Sequence, residues 1–174
     1  TAAHLEARHQ VIQAYKVLKE ETPGFENSKI MQTASVLGVR ESRHIDGLYK
    51  ITVDDVACGK RFDDRIAVYG FGMDIHSRSE SCEGGNFKIQ VAKRYYIPFS
   101  AMLPKGCKNL IVAGKTISCE SEAAGGLRCM PCAMAMGQAA GAAAAIAVDE
   151  GKMPDEISVK SLQKILVDHG AIID

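Results

Sequence analysis

The chain has 174 residues, enough for one domain with a packed core. Its 21 Lys plus Arg balance 21 Asp plus Glu, so no net field draws it to nucleic acid or to an anionic membrane surface. The six cysteines are irregularly spaced, which favours reduced thiols in a cytoplasmic protein over a disulfide framework.

Residues 2 to 20 read as an amphipathic helix, with Ala7, Val11, Ala14, Tyr15 and Leu18 on one face and Thr22-Pro23-Gly24 ending it. Residues 30 to 39 read as a strand, partly buried on both faces, that runs into Arg40-Glu41-Ser42-Arg43-His44. Alternation would put Arg40 and Ser42 on one side and Glu41 and Arg43 on the other. This polar stretch is either a solvated strand end or the lining of a site. In the second case Arg40 or Arg43 suits a carboxylate or a developing anion. Asp46-Gly47 predicts a hairpin into residues 48 to 52. Thr52 should then cap a short helix with Asp54 and Asp55 in its first turn, where the helix dipole favours them.

Residues 62 to 68 read as another helical turn. Asp74 and His76 stand two apart, so an extended segment turns both to one side. There the carboxylate can fix the imidazole tautomer and His76 can carry a proton; a plain surface pair is the alternative. A polar loop over 77 to 85 leads to alternating strands at 87 to 91 and 95 to 99, with Pro98 marking an edge or a bulge. Pro104-Lys105-Gly106 turns the chain into Leu110 to Ala113, a short apolar run stopped by Gly114, as in a strand buried on both faces. A loop containing Gly125 and Gly126 follows.

Residues 129 to 148 form a helix by propensity, with Pro131 in the first turn, where a missing N–H costs nothing. Gly137 and Gly141 lie four apart on one face, each costing roughly 1 kcal/mol against Ala. Close approach of a sheet, a helix or a cofactor would account for them. The stretch has the length of a membrane span, but Ala and Gly are weakly hydrophobic and a proline and a glutamine interrupt it, so no membrane span is expected. A last helix starts at Ser158 as N-cap, with Ile157 and Leu162 as a staple and Gly170 just past its end. Cys129-Met-Pro-Cys132 opens the alanine-rich helix, where a thiol pKa is lowered, so a thiol–disulfide protein is one possible reading. One such pair supplies only half of a tetrahedral zinc site, and no metal is expected.

Several motifs in order resemble the C-terminal part of FAD-dependent oxidoreductases. Asn-Leu-Ile-Val-Ala-Gly-Lys at 109–115 is similar to the late strand of the FAD-binding domain in that family. Arg-Cys-Met-Pro at 128–131 and Met-Gly-Gln-Ala-Ala-Gly-Ala-Ala-Ala at 136–144 are similar to the helix after it. Arg-Glu-Ser-Arg-His-Ile from Arg40, Asp54-Asp55, Phe62-Asp-Asp-Arg-Ile, Asp74-Ile-His and Tyr96-Ile-Pro-Phe precede them in the family's order. The resemblance spans roughly residues 32 to 170. Where Cys129 and Cys132 stand, the family usually has an aliphatic and a hydroxyl residue, which leaves the role of the thiols open.

The resemblance implies an α/β (mixed α+β) fold: a partial, Rossmann-like FAD-binding domain with strands of a substrate-side subdomain. Residues 1–108 would supply the N-terminal helix and substrate-side strands, and 109–174 the strand–loop–helix part of the FAD-binding domain. It implies FAD contacts at Ala113, Gly114, Lys115, Thr116, Arg128, Met130, Gly137, Gln138, Ala139 and Ala140, and chemistry at His76, Asp74, Arg40 and Arg43 on a small-molecule substrate. The chain has no Gly-x-Gly-x-x-Gly turn to seat a pyrophosphate on a helix N-terminus. The expected partner is therefore an N-terminal dinucleotide-binding half, without which this chain should hold FAD poorly. A non-catalytic packing module is the remaining alternative.

Overall fold

The computed structural model describes residues 2–73 and 92–174. The strand expected at 87–91 and the Asp74–His76 pair lie outside the described residues. Among the described residues five α-helices, α1 (Ala2–Glu21), α2 (Val53–Cys58), α3 (Ser121–Leu127), α4 (Met130–Glu150) and α5 (Val159–Asp168), accompany two strands, β1 (Arg65–Tyr69) and β2 (Tyr95–Pro98). The architecture is α+β, and the sheet formed by the described residues is a two-stranded antiparallel pair, with no parallel Rossmann-type sheet among them.

The chain divides into two compact units, Thr1–Val39 and Arg40–Asp174. In the first, α1 forms as expected, and Gly24 takes φ 91° just beyond it. Its apolar positions are not buried. The strand expected at 30–39 does not form. Met31 is 92 % exposed and Val36 73 %, and β-branched residues without a neighbouring strand to pair with gain nothing from extension.

The second unit holds one core. β1 replaces the helical turn expected at 62–68, because Ile66, Val68 and Tyr69 suit a pleated surface and pair with β2. Pro98 ends β2 opposite Arg65, at the register shift between Arg65 and Ala67, where its missing donor is tolerated as expected. Tyr95, Ile97, Ile66 and Ala67 face the core formed with α4 and α5.

Asp46-Gly47 does not make a hairpin. Gly47 bridges to Pro104 and Ile51 to Cys119, so residues 45 to 51 run between residues 100 to 105 and 116 to 120. Leu48 N–H donates to Leu103 O at 2.8 Å, and Ile45 N–H to Thr116 O at 3.0 Å. Gly47 serves close approach, since a Cβ there would stand 2.7 Å from Ser118 Cβ. These pairings put residues on both sides of position 108 into one core.

α2 has the expected capping box: Thr52 Oγ1 accepts from Asp55 N–H at 3.1 Å, and Asp55 Oδ2 accepts from Thr52 N–H at 3.0 Å. Asp55 also accepts from the Tyr49 hydroxyl and pairs with Lys60. Burial works against its charge, but these hydrogen bonds together hold its carboxyl below the usual range. Thr52→Ala should cost about 1 kcal/mol in urea unfolding; an unchanged midpoint would show the cap to be redundant.

Leu110 to Ala113 is not a strand here. Among the described residues Val112 N–H alone of this run finds a backbone acceptor, Met102 O at 2.8 Å, and Leu110 is 46 % exposed. A strand is made by its neighbours, and this run has none on the described face. Gly125 and Gly126 lie inside α3 and not in a loop. Gly126 packs where a Cβ would stand 2.7 Å from the Tyr95 hydroxyl, which itself donates to Phe71 O.

α4 buries Cys132, Met136, Ala139, Ala143, Ile146 and Ala147 in one stripe against β1 and α5. By length and composition alone it would cross a membrane, but a buried stripe in a mixed core is also how a core helix looks. The close packing falls on Ala139 and Ala143, while a Cβ at Gly137 or Gly141 would meet nothing within 4 Å. α5 starts at Ser158 as expected, with Ile157 and Leu162 buried. It ends with Gly170 N–H donating to Val167 O and Ala171 N–H to Leu166 O, Gly170 taking φ 81°.

Candidate functional site

Three stretches far apart in sequence meet at the N-terminal end of α4. The first is residues 41 to 45, the second the turn at 114 to 117, and the third Ser121 and Arg128 at the two ends of α3. Glu41 is the hub. Its Oε1 accepts from Ser121 Oγ at 2.6 Å and lies 3.3 Å from His44 Nε2, while its Oε2 lies 3.6 Å from Arg128 Nη1. Arg128 is only 15 % exposed at its side chain and Glu41 26 %, so the pair is largely withdrawn from water.

His44 is held from both sides. Nδ1 is 3.0 Å from Ile117 O, a group that only accepts, which places a proton on Nδ1. Nε2 faces the Glu41 carboxylate, so the ring is oriented from both sides. Cys119 Sγ lies 3.5 Å from the same Nδ1. Burial opposes the charge on Glu41, but the Ser121 and His44 hydrogen bonds and the Arg128 guanidinium together hold its carboxyl below the usual range. Glu120 joins α2 to this edge, accepting from Val53 N–H at 2.8 Å.

The expected site residues separate into three groups. Arg128, Gly114 and Thr116 come together at this edge: Thr116 O accepts from Ile45 N–H, and Gly114, at φ 81°, begins the turn that carries Ile117. Ala113 is half-buried beside them, and Lys115 is exposed. Arg40 and Arg43 are exposed, and the cluster takes Glu41 and His44 from that stretch. Strand alternation hid this choice, because residues 40 to 45 are irregular and Glu41 and His44 meet at a spacing of three. Ser121 gave no signal in the sequence, being a hydroxyl brought in from another element. On α4, Met130 is 80 % exposed, Gly137 and Gln138 are exposed and Ala140 is half-buried, whereas Ala139 is fully buried in the core.

A groove of about 510 Å3 runs along the outer side of α4. Leu110 and Ile111 form one wall, and Ala140, Ala144 and Val148 the other. Cys129 is the N-cap of α4 and no side-chain hydrogen bond caps the first turn, so its positive end lies beside Arg128. Burial and the nearby Cys129 and Cys132 thiols push the Tyr69 hydroxyl up to about 12. Burial pushes the Cys132 thiol up to about 12 as well. The described cysteines, Cys58, Cys107, Cys119, Cys129 and Cys132, are free, and among the described residues no group of three acidic, Cys or His side chains gathers to hold a metal.

No curated protein and no solved structure matches the chain. The model of one family, FAD dependent oxidoreductase, matches residues 1–166. With nearly the whole chain covered, the chain belongs to the FAD-dependent oxidoreductases.

Proposed function

We propose that this chain forms the flavin-side and substrate-side C-terminal part of an oxidoreductase that transfers hydride from a small organic substrate to FAD. The observation that carries the reading is the open face of α4. Gly137 and Gly141 each carry the helix-propensity cost of glycine, yet a Cβ added at either would meet nothing within 4 Å among the described residues. Family membership supplies the bulky planar group, or the sheet that holds it, for which such a face leaves room.

The fit to FAD is one-sided. Gly137, Gln138 and Ala140 offer small side chains on the open side, and the turn at Ala113, Gly114, Lys115 and Thr116 lies at the edge that carries Arg128 and Met130. Ala139, being in the core, would act only by spacing the helix. The sequence has no Gly-x-Gly-x-x-Gly turn to take the pyrophosphate. We assign that cradle to a dinucleotide-binding half, whose parallel sheet would gain residues 110 to 113 as a strand and complete the Rossmann-like domain.

Bound flavin supplies the two-electron acceptor. Arg128 and the start of α4 favour negative charge beside it, and Glu41 with His44 fixes where that guanidinium points. Exposed Arg40 and Arg43 suit a substrate anion, and His76 with Asp74 is the proposed proton carrier. Residues 1–108 would serve mainly the substrate side and 109–174 the flavin side. The free thiols suit a reducing compartment such as the cytoplasm.

Gly137→Leu tests the reading. In this chain alone the substitution should keep or raise the melting temperature, since Leu is the better helix former and meets no neighbour. In the complete flavoenzyme it should weaken FAD retention by roughly tenfold or more, at the cost of overpacking, about 1–3 kcal/mol. FAD added to this chain alone should give no saturable fluorescence change at low micromolar concentration. Unchanged flavin content in the Leu variant would leave the packing-module reading standing.

A further inference from the structure

We propose that Cys129 and Cys132 are a redox-active dithiol that closes to an intramolecular disulfide by exchange with small disulfides. The inference is independent of the flavin reading and rests on where the two residues sit in α4.

Cys129 is the N-cap, with φ −67° and ψ 149°, and Cys132 is the third residue of the helix. This offset turns an N-cap side chain back over the first turn. The same protein shows it at α2, where N-cap Thr52 and third-position Asp55 exchange two hydrogen bonds of 3.1 and 3.0 Å. Residues so related have Cα atoms about 5–6 Å apart, inside the range a disulfide spans. Closure therefore asks for side-chain rotation and little movement of the backbone.

The two thiols also differ in the way exchange requires. Cys129 is half-buried, lies next to Met130 at 80 % exposure, and stands at the N-terminal end of a 21-residue helix. Its partial exposure at the start of the helix gives a small disulfide access to it. Cys132 is 0 % exposed, and burial, with Cys129 nearby, keeps it protonated at neutral pH. It is out of reach of an outside reagent but within reach of Cys129.

The Cys129 thiolate attacks the small disulfide, forming a mixed disulfide and releasing one small thiolate, which takes up a proton. Cys132 loses its proton and attacks the Cys129 sulfur, and the second small thiol leaves. In sum, one protein dithiol and one small disulfide give one protein disulfide and two small thiols.

Oxidised glutathione is the probe, applied to the native chain, followed by alkylation in denaturant, trypsin digestion and mass spectrometry. Residues 129 to 152 form one tryptic peptide holding both thiols, and Cys119 falls in another, 116 to 128. In the wild type the 129–152 peptide should be recovered unalkylated and two hydrogens lighter, and dithiothreitol should reverse this fully. Cys132→Ser should accumulate glutathione on Cys129, and Cys129→Ser should leave Cys132 as a free thiol. The proposal is overturned if the wild-type peptide carries two alkylated thiols, if it stops at glutathione on Cys129, or if the link joins Cys119.

Discussion

Gly59→Ala is expected to destabilise the protein by about 3–4 kcal/mol. Gly59 is the C-cap of α2 at φ 68° and ψ 40°, a left-handed conformation that costs an ordinary residue about 1–2 kcal/mol. The rest of the loss is steric: a Cβ there would stand 2.5 Å from Arg94 O and 2.9 Å from Ala92 Cβ. Such overpacking costs about 1–3 kcal/mol, and a backbone carbonyl gives way less readily than the end of a side chain. Gly106→Ala is the control. Gly106 has φ 74° but nothing within 4 Å of its added Cβ, so it should show the conformational part alone. Equal losses in the two variants, measured by urea unfolding, would show that residues 92 to 94 move aside freely.

The second large effect belongs to Glu41. Glu41→Ala should cost about 2 kcal/mol at pH 7. Breaking a fully buried ion pair costs about 3–5 kcal/mol, and water reaches part of this carboxylate and offsets some of that. The pH dependence is the sharper test. The folded-state pKa of Glu41 is lowered, so the unfolded chain binds more protons in the acid range and stability rises with pH there. The contribution is complete above the unfolded value of about 4.3 and is lost as pH falls through the lower folded value. The gap between wild type and Glu41→Gln should therefore narrow from pH 5 towards pH 3. Asp55, also held low, titrates in the same window, and comparing the two proteins cancels its share. A gap that stays constant over this range would mean that Glu41 does not act as a charged partner of Arg128 and His44.

The elements that the sequence by itself determined are those whose signals are local. The Thr52 cap, the end of α1 at Gly24, Pro131 in the first turn of α4, Ser158 and the Gly170 stop all depend on a few neighbouring residues and one backbone conformation. The family was legible too, because ordered short motifs survive without knowledge of their contacts. Strands were decided elsewhere. Residues 30–39 and 110–113 carry strand-forming side chains but have no neighbouring strand among the described residues, whereas 65–69, read as a helical turn, is a strand because β2 lies beside it. The glycines divide the same way. Gly47 and Gly126 are required by atoms from distant parts of the chain, while a Cβ at Gly137 or Gly141, the pair that stood out in the sequence, would meet nothing among the described residues. The site was half legible for a related reason. Arg128 stands in a motif, but its carboxylate partner Glu41 lies in a polar run between two arginines, Arg40 and Arg43. Only the tertiary structure, by bringing the Ile117 carbonyl and Ser121 against Glu41 and His44, decided which side chains of that stretch face Arg128.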